Sequence, residues 1–166
     1  MGVHDGNGWV ACGCGARHWG LHGAAGLLLH REAPGARGDE VLLQLRAPWT
    51  HQGGTWALPG GAADSHEDAV AAALRETTEE TGVPATAVRV LGTVLTTDHG
   101  DWTYTTVVGS LADPAVRPVA ANEESVRLAW TPLVDVGGLD LHPAFDRAWE
   151  GLRRRLVELL DDGRAG

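Results

Sequence analysis

Four glutamates stand close together in a segment that otherwise has the composition of an alanine-rich helix, Leu58 to Val83. Three of them, Glu76, Glu79 and Glu80, are spaced as i, i+3 and i+4, which places their side chains on one side of an α-helix. Carboxylates this close raise one another's pKa values and destabilise the helix unless a cation compensates. The spacing therefore predicts a cation site along one edge of the helix.

The chemistry of that site is predicted from the ligands on offer. A hard divalent cation such as Mg²⁺ binds carboxylate oxygens together with water and substrate phosphates. Two glycines, Gly60 and Gly61, precede the helix and permit tight backbone geometry and the close approach of a ligand. The backbone carbonyl of Gly60 is a candidate for a further oxygen ligand. The loop and the helix together predict a platform for a metal-bound diphosphate.

The ends of this helix are marked by residues that favour capping. Ser65 can serve as the N-cap, with Asp68 three residues further on as a variant of the capping box. Gly82 occupies the position of a C′ residue, and Pro84 prevents continuation of the helix. The sector expected to pack on a sheet contains Val70, Ala73, Leu74, Thr77 and Thr81.

The remaining elements follow from hydrophobic periodicity. Short apolar or Val- and Thr-rich runs predict buried strands, a hairpin around "HGD" and one further strand; the segments are 23–30, 41–47, 88–98, 102–111 and 126–131. The last helix is expected to begin near Pro143. Its apolar stripe is Phe145, Trp149, Leu152, Leu156 and Leu159. Strands alternating with two helices predict an α/β fold with a mixed sheet between helical layers.

The sequence resembles the Nudix hydrolase family, whose signature is G-x5-E-x7-R-E-U-x-E-E-x-G-U, where U is aliphatic. The matching residues are Gly61, Glu67, Arg75, Glu76, Glu79, Glu80, Gly82 and Val83. Thr77 is the one departure, since the family has an aliphatic residue there. The resemblance extends from about Gly23 to the C-terminal helix, and "TWALPGG" and "NEESVRLAWTPL" are similar to segments that flank the signature.

This resemblance implies an α/β/α sandwich and cleavage of a nucleoside diphosphate linked to another moiety, with Mg²⁺ or Mn²⁺ as cofactor. We expect an N-terminal lead-in over 1–22, a single catalytic domain over 23–160 and a tail over 161–166. Within the class, we favour nucleoside triphosphates, including oxidised ones, over ADP-ribose. The alternative is a sensor that binds a nucleotide or ADP-ribose without cleaving it.

The resemblance also implies roles for the acidic residues and Arg75. Glu76, Glu79 and Glu80 would bind the metal, and one of them, with Glu76 and Glu79 as the catalytic candidates, would activate water. Arg75 would orient a catalytic glutamate. Arg75 is also spaced i, i+4 from Glu79, as in an ordinary helix ion pair. Glu67, expected just inside the helix, also suits the helix dipole there.

A further ligand or general base is expected downstream of the helix. The loop "ANEES" offers Glu123 and Glu124, and the distance to Trp130 favours Glu124. The candidates for substrate binding are Arg46, Trp56 and Tyr104, since aromatic rings stack on bases and arginine binds phosphate bidentately.

Composition narrows the partners and the location. The 166 residues carry a formal net charge of −9, which argues against binding to a nucleic-acid backbone. No apolar run is long enough to span a bilayer, and the first residues do not read as a secretory signal. We therefore expect a nucleotide-type small molecule as partner, no membrane contact, and a cytoplasmic location. A homodimer is left open.

Two cysteines near the N-terminus allow two interpretations. Cys12, Cys14 and His18, with His4 or His22 nearby, could form a small zinc site. The C-x-C spacing is tighter than that of common zinc motifs, and no second pair exists. The alternative is a pair of reduced cysteines in a reducing compartment.

Overall fold

The computed structural model describes residues 4–33, 35 and 38–166. Within these ranges the chain forms nine strands and two α-helices. In chain order they are β1 (Trp9–Ala11), β2 (Arg17–Trp19), β3 (Ala24–Glu32), β4 (Asp39–Arg46), β5 (Trp56–Ala57), β6 (Gly60–Ala62), α1 (Ala69–Thr81), β7 (Val88–Asp98), β8 (Thr103–Leu111), β9 (Ser125–Pro132) and α2 (Pro143–Arg164).

The central sheet is mixed, as the sequence predicts. Strands β5, β4, β3, β8 and β7 lie side by side in that order, while β6 also pairs with β3 and β9 with β4. The β3–β8 pair is parallel, and the other pairs of this sheet are antiparallel. The predicted hairpin forms as β7 and β8.

The sheet has a hydrophobic core on each face, which explains the continuous apolar run of β3. Leu28 faces a cluster that contains Trp149 and Leu152 of α2. Leu27 and Leu29 face the opposite cluster, which contains Ala72 and Ala73 of α1. Because side chains alternate along a strand, a strand covered by helices on both faces must be apolar at every position. The result is the predicted α/β/α sandwich.

Helix α1 begins later than the sequence predicts. Asp68, and not Ser65, is the N-cap, and its carboxylate accepts a hydrogen bond of 2.8 Å from the Ala71 N–H. Ser65 is instead bonded to Asp5 of the N-terminal segment through both its N–H and its hydroxyl. Glu67 therefore precedes the helix, and the expected interaction with the first turn is wrong. Gly82 ends the helix as predicted, at φ 69°.

The departure from the family signature at Thr77 is accommodated inside the α1-side core. Thr77 is buried, and its hydroxyl donates a 2.7 Å hydrogen bond to the Ala73 carbonyl. Thr81, one turn further on, is bonded in the same way to the Thr77 carbonyl. Both hydroxyls are satisfied within the helix, so neither is an unpaired polar group in the core.

The two ends of the chain are more regular than expected. The segment expected to be an irregular lead-in contains the β1–β2 hairpin, in which Trp9 lies opposite Trp19. The prediction of an irregular segment is therefore wrong. The sequence did not reveal the hairpin because strands of three residues are too short to show periodicity. Helix α2 begins at Pro143 but continues to Arg164, so its last turn lies in the segment 161–166 that we assigned to a tail. Leu160 rather than Leu159 completes the buried stripe.

A membrane-spanning helix is not found among the described residues, because none of their helices combines sufficient length with sufficient hydropathy.

Candidate functional site

Strand β6 pairs with β3, and its backbone also forms a hydrogen bond with a side chain of α1. The Gly60 N–H donates a 2.8 Å hydrogen bond to Glu80 Oε2. A Cβ atom at Gly60 would lie 2.5 Å from the Ala25 carbonyl oxygen, which is too close for any larger residue. The need for glycine at this position therefore comes from packing against β3, whereas the sequence suggested the approach of a ligand.

The second glycine serves a side chain of the site directly. A Cβ at Gly61 would lie 2.6 Å from the carboxyl carbon of Glu76 and 2.7 Å from its Oε1. Glycine thus allows the Glu76 carboxylate to lie directly on the backbone of β6. The first residue of the family signature is explained by this contact.

Arg75 is the hub that fixes the acidic side chains. Its Nε donates to Glu67 Oε1 at 2.7 Å and its Nη2 to Glu67 Oε2 at 3.0 Å, a bidentate pair. Its Nη1 reaches Glu76 Oε1 at 2.9 Å and Glu79 Oε2 at 3.3 Å. The Nη2 also donates to the Ala62 carbonyl at 2.9 Å. The arginine therefore ties the loop before α1, the helix edge and β6 together, and the predicted i, i+4 pair exists as one part of this network.

Glu80 has a different environment from the glutamates around Arg75. Its residue surface is 1% exposed, and within the described ranges it accepts the Gly60 hydrogen bond but forms no ion pair. Burial, with the charges of Glu76 and Glu124, raises the pKa of Glu80 to about 8, although the Gly60 N–H and Arg46 act in the opposite direction. A carboxylate held this way is ready to bind a cation.

The same negative field acts on Glu76. Burial raises the pKa of Glu76, the bonded Arg75 lowers it, and the charges of Glu79 and Glu124 add to the rise. Glu124 thus contributes to the field at both Glu76 and Glu80. Glu79 is the more open member of the cluster, with 44% of its side chain exposed.

A β-bulge sets the positions of Glu124 and Arg46, whose charges both act on Glu80. The register of β4 and β9 shifts between Leu45 and Arg46, which lies opposite Ser125. Just beyond the shift, the Ala47 N–H donates a 2.8 Å hydrogen bond to the carbonyl of Glu124. Bulges redirect side chains where a strand ends, and this one sets an arginine beside an exposed acid.

The three predicted substrate contacts lie in different surroundings. Arg46 is half-buried, and its Nε donates to the His51 carbonyl at 3.1 Å. Trp56 packs partly against the α2-side core, with the guanidinium of Arg127 over its ring at 5.8 Å. Burial and the charge of Glu80 raise the pKa of Tyr104.

The position of the Tyr104 hydroxyl explains another glycine. A Cβ at Gly26 would lie 2.1 Å from that hydroxyl. The glycine therefore leaves room for the tyrosine hydroxyl. The charges of Glu80 and Glu76 act on Tyr104, so this residue lies near the glutamate cluster, whereas Trp56 packs toward α2.

Two polar groups near the site were missed by the sequence reasoning. Asp64 is 3% exposed, accepts the Gly6 N–H at 2.9 Å and lies 3.3 Å from His4 Nδ1. Its partners come from the N-terminal segment, and no local sequence pattern connects that segment to the family signature. His142 caps α2, and burial with the charge of Arg46 lowers its pKa to about 4.

A buried hydrogen-bonded pair, Gln44 and Ser125, lies between β4 and β9. Gln44 Oε1 accepts a 2.6 Å hydrogen bond from the Ser125 hydroxyl, and Gln44 Nε2 donates to the Leu58 carbonyl at 3.4 Å. Gln44 is the polar residue inside an otherwise apolar strand, "VLLQLR", and that interruption was the available signal. The pair links β4 and β9 to the loop before β6.

Gly61→Ala should reduce turnover with little effect on the fold. The added methyl group would displace the Glu76 carboxylate from β6, and displacement of about 1 Å costs on the order of 10²-fold in rate. Steady-state kinetics and thermal unfolding would be measured together. Gly151→Ala is the matched control, because a Cβ there contacts nothing within 4 Å. Unchanged kcat in Gly61→Ala would contradict this role of the glycine.

Comparison with known proteins agrees with this architecture. The NUDIX domain family model matches residues 20–156. The "Putative 8-oxo-dGTP diphosphatase 3" of Mycobacterium tuberculosis is 46% identical over 154 residues, covering 90% of this chain and 70% of that protein. A Nudix hydrolase of M. smegmatis, RenU, is 49% identical with a TM-score of 0.85, covering 92% of this chain and 96% of its own. The chain belongs to the Nudix hydrolase family and is a pyrophosphohydrolase.

One longer relative and more distant structures complete the comparison. A "Nucleoside triphosphate pyrophosphatase/Nudix hydrolase fusion protein" of Bifidobacterium longum is 41% identical over 95% of this chain, which covers 33% of the fusion protein. An Ap4A hydrolase of C. elegans has a TM-score of 0.65 at 21% identity, covering 83% of this chain and 99% of its own. At that identity the likeness concerns the fold alone.

Proposed function

We propose that this protein hydrolyses nucleoside triphosphates, including oxidised deoxynucleotides, to a monophosphate and pyrophosphate in a reaction that depends on Mg²⁺ or Mn²⁺. The observation that carries the proposal is the buried Glu80 carboxylate, which lies in the field of Glu76 and Glu124 without a cation partner among the described residues. Removing a carboxylate from water is costly unless it is paired or binds a metal. A divalent cation supplies the missing charge.

The residues present fit such a cation. Glu76, Glu79, Glu80 and Glu124 offer hard oxygen ligands, which Mg²⁺ prefers. The carbonyl of Gly60 remains a proposed ligand, since its N–H and not its carbonyl is the group bonded to Glu80. When bound, the cation would neutralise charge on the diphosphate oxygens and make water a better nucleophile.

The chain's own groups would perform the proton transfer and the positioning. Glu124 is exposed and its charge acts on Glu76 and Glu80, which suits a general base that accepts a proton from the attacking water. The water oxygen forms a bond to the α- or β-phosphorus while the P–O bond that bridges these two atoms breaks. The leaving group, pyrophosphate in the first case and the nucleoside monophosphate in the second, keeps the electron pair. Arg75 holds Glu76 and Glu79 in place throughout. The charge of Glu124 acts on both Glu76 and Glu80, which supports Glu124 as the base.

Binding of the substrate phosphates is assigned to Arg46. Among the described residues, its side chain donates a hydrogen bond only through Nε, to the His51 carbonyl, so its two Nη groups face no competing acceptor. An arginine fork matches the oxygens of a phosphate. Trp56 and Tyr104 are the proposed contacts for the rest of the nucleotide.

The preference for triphosphates rests on the relatives. The M. tuberculosis relative carries the name of a diphosphatase acting on 8-oxo-dGTP. A Nudix domain of Shewanella oneidensis NrtR has been crystallised with ADP-ribose, but at 23% identity it shares the fold and no more. A sensor that does not cleave its ligand is disfavoured here, because every glutamate of the signature is present. A cytoplasmic location and a homodimer stay predictions.

Hydrolysis of a substrate panel tests the proposal. Purified protein would be incubated with dGTP, 8-oxo-dGTP, ATP, ADP-ribose and Ap4A, with Mg²⁺, with Mn²⁺ and with a chelator. We expect a nucleoside monophosphate and pyrophosphate from the triphosphates, and no product with the chelator. Faster hydrolysis of ADP-ribose than of the triphosphates, or turnover without a divalent cation, would contradict the proposal.

A further inference from the structure

The turn between β1 and β2 gathers three ligands that the hydrolytic site does not use. The sulfur atoms of Cys12 and Cys14 and a ring nitrogen of His18 all lie within 4.8 Å of one another. Cys14 Sγ lies 3.2 Å from His18 Nε2. Both cysteines are free thiols in the structure. The close approach of two sulfurs and one imidazole nitrogen is the arrangement that a thiophilic metal requires.

The distances agree with those around a tetrahedral zinc ion. With Zn–S of about 2.3 Å and Zn–N of about 2.0–2.1 Å, two ligand atoms lie about 3.6 Å (S to N) or about 3.8 Å (S to S) apart. The observed 3.2 Å between Cys14 and His18 is within a few tenths of an ångström of that separation.

The backbone of the turn is already arranged around the Cys12 sulfur. The Cys14 N–H donates a 3.4 Å hydrogen bond to Cys12 Sγ. Gly15 has φ 88°, and its N–H donates to the Cys12 carbonyl at 3.0 Å. This left-handed glycine closes the turn immediately after the second cysteine. The C-x-C spacing, which is tighter than common zinc motifs, is therefore compatible with convergence of the two sulfurs.

The imidazole of His18 is held from outside the hairpin. Its ring stacks on Trp102 at 4.4 Å between centroids and on His99 at 4.9 Å. Asp101 of the same β7–β8 turn accepts the Gly13 N–H at 3.1 Å. The ring is thus fixed by packing, as a metal ligand must be, and a carboxylate lies beside the cysteine turn.

We propose that Cys12, Cys14 and His18 bind one zinc ion, with Asp101 or a water completing the tetrahedron. The ion would fasten the β1–β2 hairpin against the β7–β8 turn. The hairpin also contacts the loop after β4, because Trp9 lies 5.7 Å from His51 between ring centroids. The site is separate in residues and ligand chemistry from the glutamate cluster, so it does not rest on the proposed reaction.

Metal analysis of untagged protein, purified without chelators, tests this site. We expect about one zinc ion per chain in the wild type, and less than about 0.1 in Cys14→Ser and in His18→Ala. His22→Ala is the matched control and should retain the ion. This exposed histidine of the same segment was a candidate ligand in the sequence, but it lies outside the group of converging ligand atoms. Zinc well below stoichiometry in the wild type, or full zinc in Cys14→Ser, would overturn the proposal.

A second measurement keeps the test decisive if the variants do not fold. Wild-type thiols should react slowly with Ellman's reagent and rapidly once a chelator has removed the ion. Refilling with Co²⁺ should give the intense visible bands of tetrahedral thiolate coordination. Equal thiol reactivity with and without the chelator, or a Cys12–Cys14 disulfide in the mass spectrum of the native protein, would also count against zinc.

Discussion

Replacing Glu80 by glutamine should lower kcat by about 10³-fold while the protein stays folded, within the range for loss of an essential charged group. Glutamine keeps the shape of the side chain and can still accept the Gly60 hydrogen bond, but it removes the buried charge that a cation would neutralise. Steady-state kinetics over a range of Mg²⁺ concentrations would measure the loss. Glu123→Gln, an exposed acid in the loop beside Glu124, is the control and should remain near wild-type activity.

The same variant should change how the metal-free protein responds to pH. The pKa of Glu80 is about 8 in the folded chain, above its ordinary value of 4.5, so its contribution to stability is full below pH 4.5 and is lost as the pH rises through 8. His18 and His142, whose pKa values are lowered from 6.5, add no slope above that pH. Between pH 6.5 and 8 the wild type should therefore lose stability.

Thermal unfolding with a chelator measures that slope. Glu80→Gln should show a flatter dependence over the same interval, because it lacks the group whose pKa is raised to about 8. Mg²⁺ should raise the wild-type Tm and have little effect on the variant, since a ligand stabilises only a chain that binds it. Wild-type turnover in Glu80→Gln, or an identical pH slope in both proteins, would be incompatible with a cation held by Glu80.

The edge of α1 could be predicted from the sequence because its geometry is local. Spacings of three and four residues fix which side chains share a face, wherever the helix packs. The start of the helix was less certain, because both Ser65 and Asp68 have side chains suited to an N-cap. The choice between them depends on Asp5, which binds Ser65 from 60 positions away in the chain. Such a contact leaves no local pattern.

The rest of the site depends on tertiary contacts. A shift in the register of two strands sets the positions of Glu124 and Arg46 near Glu80, and register is set by packing of the whole sheet. The Asp64 carboxylate accepts the N–H of Gly6, a residue far away in the sequence. Gly6 packs so closely against the Ala63 carbonyl that a Cβ atom would clash with it. Distance from Trp130 favoured Glu124 over Glu123, but it could not supply the electrostatic reason.

Arg75→Gln should lower both the stability and the activity of the protein. The guanidinium donates two hydrogen bonds to Glu67 and others to Glu76, Glu79 and the Ala62 carbonyl. Losing the cation leaves the mostly buried Glu67 carboxylate unpaired, which costs about 3 kcal/mol. Turnover should fall by about 10²-fold, because Glu76 and Glu79 lose the donor that fixes them.

Arg75→Lys separates charge from geometry in this network. An ammonium keeps the positive charge but cannot present a planar fork to Glu67 while also reaching Glu76 and the Ala62 carbonyl. Urea unfolding should show partial recovery of stability relative to Arg75→Gln, while kcat should stay low. The control is Arg155→Lys, an exposed pair with Glu158 at 3.2 Å on α2, which should change stability by less than about 0.5 kcal/mol. If lysine restored wild-type kcat, the charge of Arg75 alone would suffice, and the hydrogen-bonded fork would have no part in positioning the glutamates.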